Sequence, residues 1–271
     1  MARIRRRRRL KGLPFNRMIP NILTMLALSA GMTAVRFGLQ DQWKPAVVAI
    51  TAAAILDALD GRIARMLKGT SKFGAELDSL SDFICFGVAP SVMLYLWSMK
   101  DAGNFGWVLV LLFSVCCALR LARFNTALEE PDRPSWAHNY FSGVPAPAGA
   151  GLVLLPMILS FQAGDAFFRE PAVVGAFLIV VSGLLVSRIP TYAFKSFRVP
   201  HQWVLPTMLF VGLLVASIVG APWATLTAVI FVYIIGIPFA VRSYRGLQTK
   251  AEALLDRDDG EKDDDGEAAG G

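Results

Sequence analysis

Eight apolar runs, at 21–36, 45–63, 80–98, 106–122, 146–162, 172–188, 203–219 and 223–241, leave this chain little choice of architecture. A hydrocarbon core offers no partner to a backbone N–H or C=O, so a segment inside it must satisfy its own backbone, as a helix does. Crossing takes about 20 residues. Some runs are shorter, and the second and third have polar ends, which suit a wet cavity. Hydrophobic residues make up 55% of the 271, and the mean hydropathy is +0.50. A soluble domain of this size is far more polar. The expected fold is therefore all-α: a polytopic integral membrane helix bundle of about eight transmembrane helices. Only Gly220, Ala221 and Pro222 separate the last two runs, which suits a tight hairpin; a re-entrant pair there would reduce the count to six or seven.

The charge is divided between the ends. Residues 1–19 carry Arg3, the run Arg5–Arg9, Lys11 and Arg17, and an acidic block from Asp256 to Glu267 closes the chain. This divides it into a basic leader (1–19), a membrane domain (20–241) and an acidic, disordered tail (242–271). With spans following directly, the leader reads as a contact for anionic lipid headgroups, not nucleic acid. With eight spans, one side collects every basic residue except Arg36, Lys44, Lys100 and Arg169. The positive-inside rule makes that side cytoplasmic, with both termini and any site between the second and third helices, in the cell (inner) membrane. The first run continues into a full span without a clear cleavage site, so no cleavable signal peptide is expected. Cys85, Cys116 and Cys117 lie in apolar stretches and read as small core residues. Trp43, Trp97, Trp107, Trp203 and Trp223 read as interfacial anchors.

Four carboxylates interrupt this apolar pattern at the second and third helices. Asp57, Asp60, Gly61, Ala64 and Arg65 recur at helical spacing and share a face at the end of the second helix. Gly74, Asp78 and Asp82, spaced by four, share a face at the start of the third, with Met66 to Phe73 as the turn. Two antiparallel helices bring the four acids together, and such a group needs a counter-charge. Hard oxygen donors favour Mg²⁺, Mn²⁺ or Ca²⁺ over zinc. The two histidines, His138 and His201, have no metal-ligand spacing. Cation, Arg65 and close-approach glycines are equipment for holding phosphates, and an Asp outside the cation's grip can take a proton from an alcohol. A purely structural Asp–Arg network needs fewer acids. A transporter would place them near the midplane within broken, repeated helices, and no such repeat is visible.

The pattern Asp57-x2-Asp60-Gly61-x2-Ala64-Arg65-x8-Gly74-x3-Asp78-x3-Asp82 resembles the whole signature of the CDP-alcohol phosphotransferase family. The resemblance implies a membrane α-helical bundle, usually a homodimer. It moves a phosphoalcohol group from a CDP-alcohol to an acceptor alcohol and releases CMP. It implies that Asp57, Asp60 and Asp78 ligate Mg²⁺ or Mn²⁺, two ions per site, with Asp82 contributing to the second and acting as general base. Gly61, Arg65 and Ser71 would hold the diphosphate with Ala64 on the same face, and Gly74 would give it room. Asn21 and Thr24 resemble the segment that contributes to the CDP-lipid site.

LDSLSDFICFGVAPSVMLY (77–95), ALRLARFN (118–125), FSGVPAPAGAG (141–151) and SRIPTYAFKSF (187–197) resemble the family's membrane-integrated phosphatidylserine synthase branch. That branch uses CDP-diacylglycerol and L-serine. Phosphatidylcholine and phosphatidylglycerophosphate synthases share the Asp signature, so the acceptor must be written elsewhere. Serine's carboxylate needs a cation; Arg120, Arg123, Arg188 and Lys195, with Asn125, are the candidates at helix ends on the correct side. His138 reads as a surface residue, and Pro145, Pro147, Pro190 and Pro200 as helix terminators.

Overall fold

The computed structural model describes residues 15–67, 71–128, 140–187, 189–192 and 204–244. The leader up to residue 14, the tail beyond Tyr244, and His138, Arg188, Lys195 and His201 lie outside the described residues. Within the described residues the expected apolar runs fall on helices: α1 (Phe15–Leu39), α2 (Trp43–Met66), α3 (Lys72–Asp82) continuing through a π turn (Phe83–Val88) into α4 (Ala89–Trp97), and α5 (Gly103–Leu128). Then come α6 (Ala146–Ala163), a single turn α7 (Asp165–Phe168), α8 (Pro171–Val186), α9 (Val204–Gly220) and α10 (Pro222–Tyr244). Met18–Leu39, Lys72–Trp97, Met99–Thr126, Ala146–Ala163 and Pro222–Tyr244 are each long and apolar enough to cross a bilayer, and α8 and α9 are shorter apolar helices. The protein is an all-α, polytopic membrane protein. Between α9 and α10 stands Ala221 alone, whose N–H donates to Ser217 and whose carbonyl accepts from Thr225.

The chain forms two compact units, Met1–Met93 and Leu94–Gly271. In the first, α1 and α2 pack along small residues. Ala27 and Ala34, seven apart on α1, and Ala46 and Ala53, seven apart on α2, are all buried. Without a hydrophobic drive between helices in lipid, side chains this small let backbones approach and gain dispersion contacts. A Cβ added to Gly31 would lie 2.5 Å from Cys85 Sγ and 3.1 Å from Cys85 Cα, so α1 also sits directly on the π turn. That turn precedes Pro90, which has no N–H to return to the Phe86 carbonyl. The Ala89 N–H reaches back five residues to Ile84, and Ser91 Oγ donates to Gly87 at 2.7 Å. The widened turn carries the helix past the proline unbroken.

The third helix starts at Lys72, two residues before the expected start at Gly74. The reason is local: Ser71 Oγ accepts the Gly74 N–H at 3.0 Å, capping a polar first stretch that hydropathy alone does not reveal.

In the second unit α8 packs between α5 and α6, burying Phe113, Cys117, Val174, Leu178 and Leu185. All three cysteines are buried core residues, and none forms a disulfide. Trp97 is buried; its carbonyl accepts from Arg169 Nε (2.8 Å), and Ser98 Oγ donates to the Arg169 carbonyl (2.7 Å). Trp107 is exposed and packs edge-on to Tyr95. A small antiparallel ribbon, β1 (Tyr140–Ser142) with β2 (Pro190–Tyr192), joins two loop segments that carry the subgroup resemblance. Gly143 follows it with φ +84°, and a Cβ there would meet the carbonyl oxygens of Ser187 (2.8 Å) and Leu185 (2.9 Å). Only glycine fits that corner. Pro145 caps α6.

We expect Gly31→Ala to cost about 1–3 kcal/mol of stability through overpacking. Cys85→Ala in the same chain should recover part of it by removing Sγ, and unfolding of the purified protein in detergent measures both.

Candidate metal centre

The site belongs to the first unit and is built by three helices. Asp57 and Asp60 stand on the last turns of α2, and Asp78 on the second turn of α3. One carboxylate oxygen from each lies within 4.8 Å of the others. Asp60 is buried, while Asp57 and Asp78 are half-buried. Asp82, one turn beyond Asp78 on the same face, is half-buried and lies outside this trio of close ligand atoms. Of the four acids that spacing put on two helix faces, the structure brings the ligand atoms of three together.

Thr24 on α1 supplies the nearest neutral partner. Its Oγ1 lies 2.6 Å from Asp60 Oδ2 and 3.1 Å from the Pro20 carbonyl. The hydroxyl has one proton, and the shorter contact to a carboxylate takes it. Ser81, between Asp78 and Asp82, donates to the Thr24 carbonyl at 3.3 Å, and Cys85 Sγ to the Ala27 carbonyl at 3.3 Å. Neither Ser81 nor Cys85 is marked by spacing or motif as belonging to the site. Only the packing of α3 and the π turn on α1 reveals them.

The residues assigned to the nucleotide differ in their surroundings. At Gly61 an added Cβ would meet only Arg65 Nη1, at an ordinary 3.6 Å. The exposed Arg65 therefore lies back over the turn that carries Gly61, and the protein's own packing does not demand glycine there. Gly74 is different: an added Cβ would lie 2.9 Å from Asn21 Oδ1 and 3.1 Å from Ser71 Oγ. The space over Gly74 is filled by side chains of the protein itself. Ser71 is the α3 cap, and Ala64 is half-buried on the α2 face. Arg120, Arg123 and Asn125 belong to the second unit. Arg120 is buried with its guanidinium 5.6 Å from the Phe124 ring centre, and Arg123 Nη2 donates to the Ser187 carbonyl at 2.9 Å.

Sequence comparison identifies the family. The sequence model of the family described as CDP-alcohol phosphatidyltransferase matches residues 17–186, and that of CDP-alcohol phosphatidyltransferase 2 matches residues 202–238. The chain belongs to the CDP-alcohol phosphatidyltransferase family. It is 40% identical over 239 residues to a Mycobacterium tuberculosis protein named CDP-diacylglycerol–serine O-phosphatidyltransferase, covering 88% of this chain and 83% of that one. Proteins of the same name from Helicobacter pylori (33% over 218 residues, 80% and 88%) and Methanocaldococcus jannaschii (31% over 222 residues, 81% and 92%) are similar too.

The family is generally dependent on a divalent metal, and the trio fits one. Its donors are all hard carboxylate oxygens, they converge from two helices, and their mutual repulsion is relieved by a cation. Removing an outer-shell partner typically costs about 10–100-fold in metal affinity, and removing a ligand should cost no less. Asp60→Asn is therefore expected to weaken divalent-cation binding at least about tenfold while the protein remains folded. Titration calorimetry with Mn²⁺ on the purified protein checks it.

Proposed function

We propose that this protein transfers the phosphatidyl group of CDP-diacylglycerol to the hydroxyl of L-serine and releases CMP. The observation that carries the reading is the convergence of Asp57, Asp60 and Asp78 beside the Arg65 face of α2. The names of the relatives support serine as the acceptor.

Asp57, Asp60 and Asp78 would hold a divalent cation, Mg²⁺ or Mn²⁺, which when bound supplies charge neutralisation for the diphosphate and for the departing CMP. Arg65 adds a planar, permanently charged donor fork for phosphate oxygens. Gly61, with no packing demand of its own, leaves the backbone open to the substrate. Asp82, outside the trio, takes the proton of the serine hydroxyl. The serine oxygen then bonds to the β-phosphorus, the bond from that phosphorus to the bridging oxygen breaks, and CMP departs with the electron pair.

The cluster and both termini face the cytoplasm of the cell membrane, as the basic residues require, and the working form is a homodimer, as the resemblance implies. A cysteine introduced at the exposed Glu76 is expected to react with an impermeant maleimide in inverted vesicles, and one at Lys100 in right-side-out vesicles; the reverse pattern refutes the orientation. Light scattering of the purified protein checks the dimer.

The activity test offers serine, choline, glycerol 3-phosphate and inositol separately, with CDP-diacylglycerol and Mn²⁺ or Mg²⁺. We expect CMP release with serine, and release with choline but not serine overturns the acceptor. Asp82→Asn should lower kcat by about 10²-fold or more, whereas near-wild-type turnover removes Asp82 as the base.

A further inference from the structure

We propose that Thr24 is a positioning residue for Asp60. Its hydroxyl fixes the plane of the Asp60 carboxylate, and its carbonyl ties that plane to the helix bearing Asp78 and Asp82. The inference rests on reading the trio as a cation site.

Thr24 is 5% exposed, within α1, so its side chain is directed into the first unit. Its hydroxyl meets Asp60 Oδ2 at 2.6 Å, within the 2.5–2.7 Å range of charge-assisted O–H···O⁻ bonds. The terminal torsion of a carboxylate is soft and broad, so an Asp held only by its backbone samples many orientations of its two oxygens. A bond to one oxygen removes that freedom before a cation arrives, and the cost of ordering the ligand falls out of the binding step.

The same residue acts on the second helix through its backbone. Ser81 Oγ donates to the Thr24 carbonyl at 3.3 Å, from the position directly before Asp82 and three after Asp78. One turn along, Cys85 Sγ donates to Ala27 and Gly31 closes on Cys85. One face of α1 thus meets the ligand of α2 through a side chain and the ligand-bearing stretch of α3 through a carbonyl. A threonine contacting CDP-lipid alone has no need of this geometry. Here the single hydroxyl proton is already committed to Asp60.

The test is Mn²⁺ affinity of the purified full chain in detergent without substrate, measured by electron paramagnetic resonance of free Mn²⁺, alongside thermal unfolding. Thr24→Val keeps the shape without the hydroxyl and is expected to weaken Mn²⁺ binding about tenfold or more. Thr24→Ser should restore most of it. Thr51→Val removes a hydroxyl that bonds only within α2, to Val47, and should leave the affinity unchanged. If the valine variant does not fold, Thr24→Ala against Thr24→Ser makes the same comparison. Wild-type Mn²⁺ affinity in Thr24→Val, with loss in Asp60→Asn, overturns the positioning role and leaves the cation site standing. A raised KM for CDP-diacylglycerol at unchanged Mn²⁺ affinity makes Thr24 a lipid contact and overturns it equally. Absence of Mn²⁺ binding to the wild type removes both readings.

Discussion

Three carboxylates with ligand atoms inside 4.8 Å of one another repel, and the first unit is organised around holding them there. At an effective dielectric constant of about 20, two full charges at that distance oppose each other by roughly 3 kcal/mol. This is a sizeable part of the stability of an ordinary domain, about 5–15 kcal/mol. The scaffold opposes it with close contact. Alanines at Ala27, Ala34, Ala46 and Ala53 bring α1 and α2 together, and Gly31 seats α1 on the π turn. Thr24 donates to Asp60, and Ser81 and Cys85 return two bonds to the α1 backbone. The arrangement is stiff because small residues leave no slack, and a stiff set of like charges is what a divalent cation stabilises best.

The second unit uses a different device at its helix ends. Backbone carbonyls left over where helices stop are satisfied by guanidinium groups: Arg123 at Ser187 and Arg169 at Trp97. Each arginine closes a loop against a helix, which keeps irregular backbone satisfied in a protein with little water around it. Arg123 was a candidate for the acceptor's carboxylate, and its observed bond gives it work inside the protein. Arg120 is buried, with its guanidinium over the Phe124 ring.

Family membership rests on most of the chain, and the site on one part of it. The family match spans both units, from residue 17 to 238 with one gap, whereas the trio occupies a single corner of the first. A fold shared so widely supports many alcohol acceptors.

Apolar run length determined the all-α, polytopic membrane class, because the bilayer permits almost no other backbone solution. Helical periodicity determined which Asp side chains share a face, since that depends only on residue spacing. The start of α3 lies two residues before the expected Gly74 because the Ser71 cap, which no spacing marks, begins it. The ribbon of β1 and β2 escaped because three-residue strands carry no period to read. Tertiary structure alone decided that Asp82 stands outside the trio, that Asn21 fills the space over Gly74, and that Thr24 grips Asp60 across 36 residues of sequence. Those facts depend on how three helices are rotated against one another. Such rotation is set by the summed packing of small side chains, which no local pattern along the chain encodes.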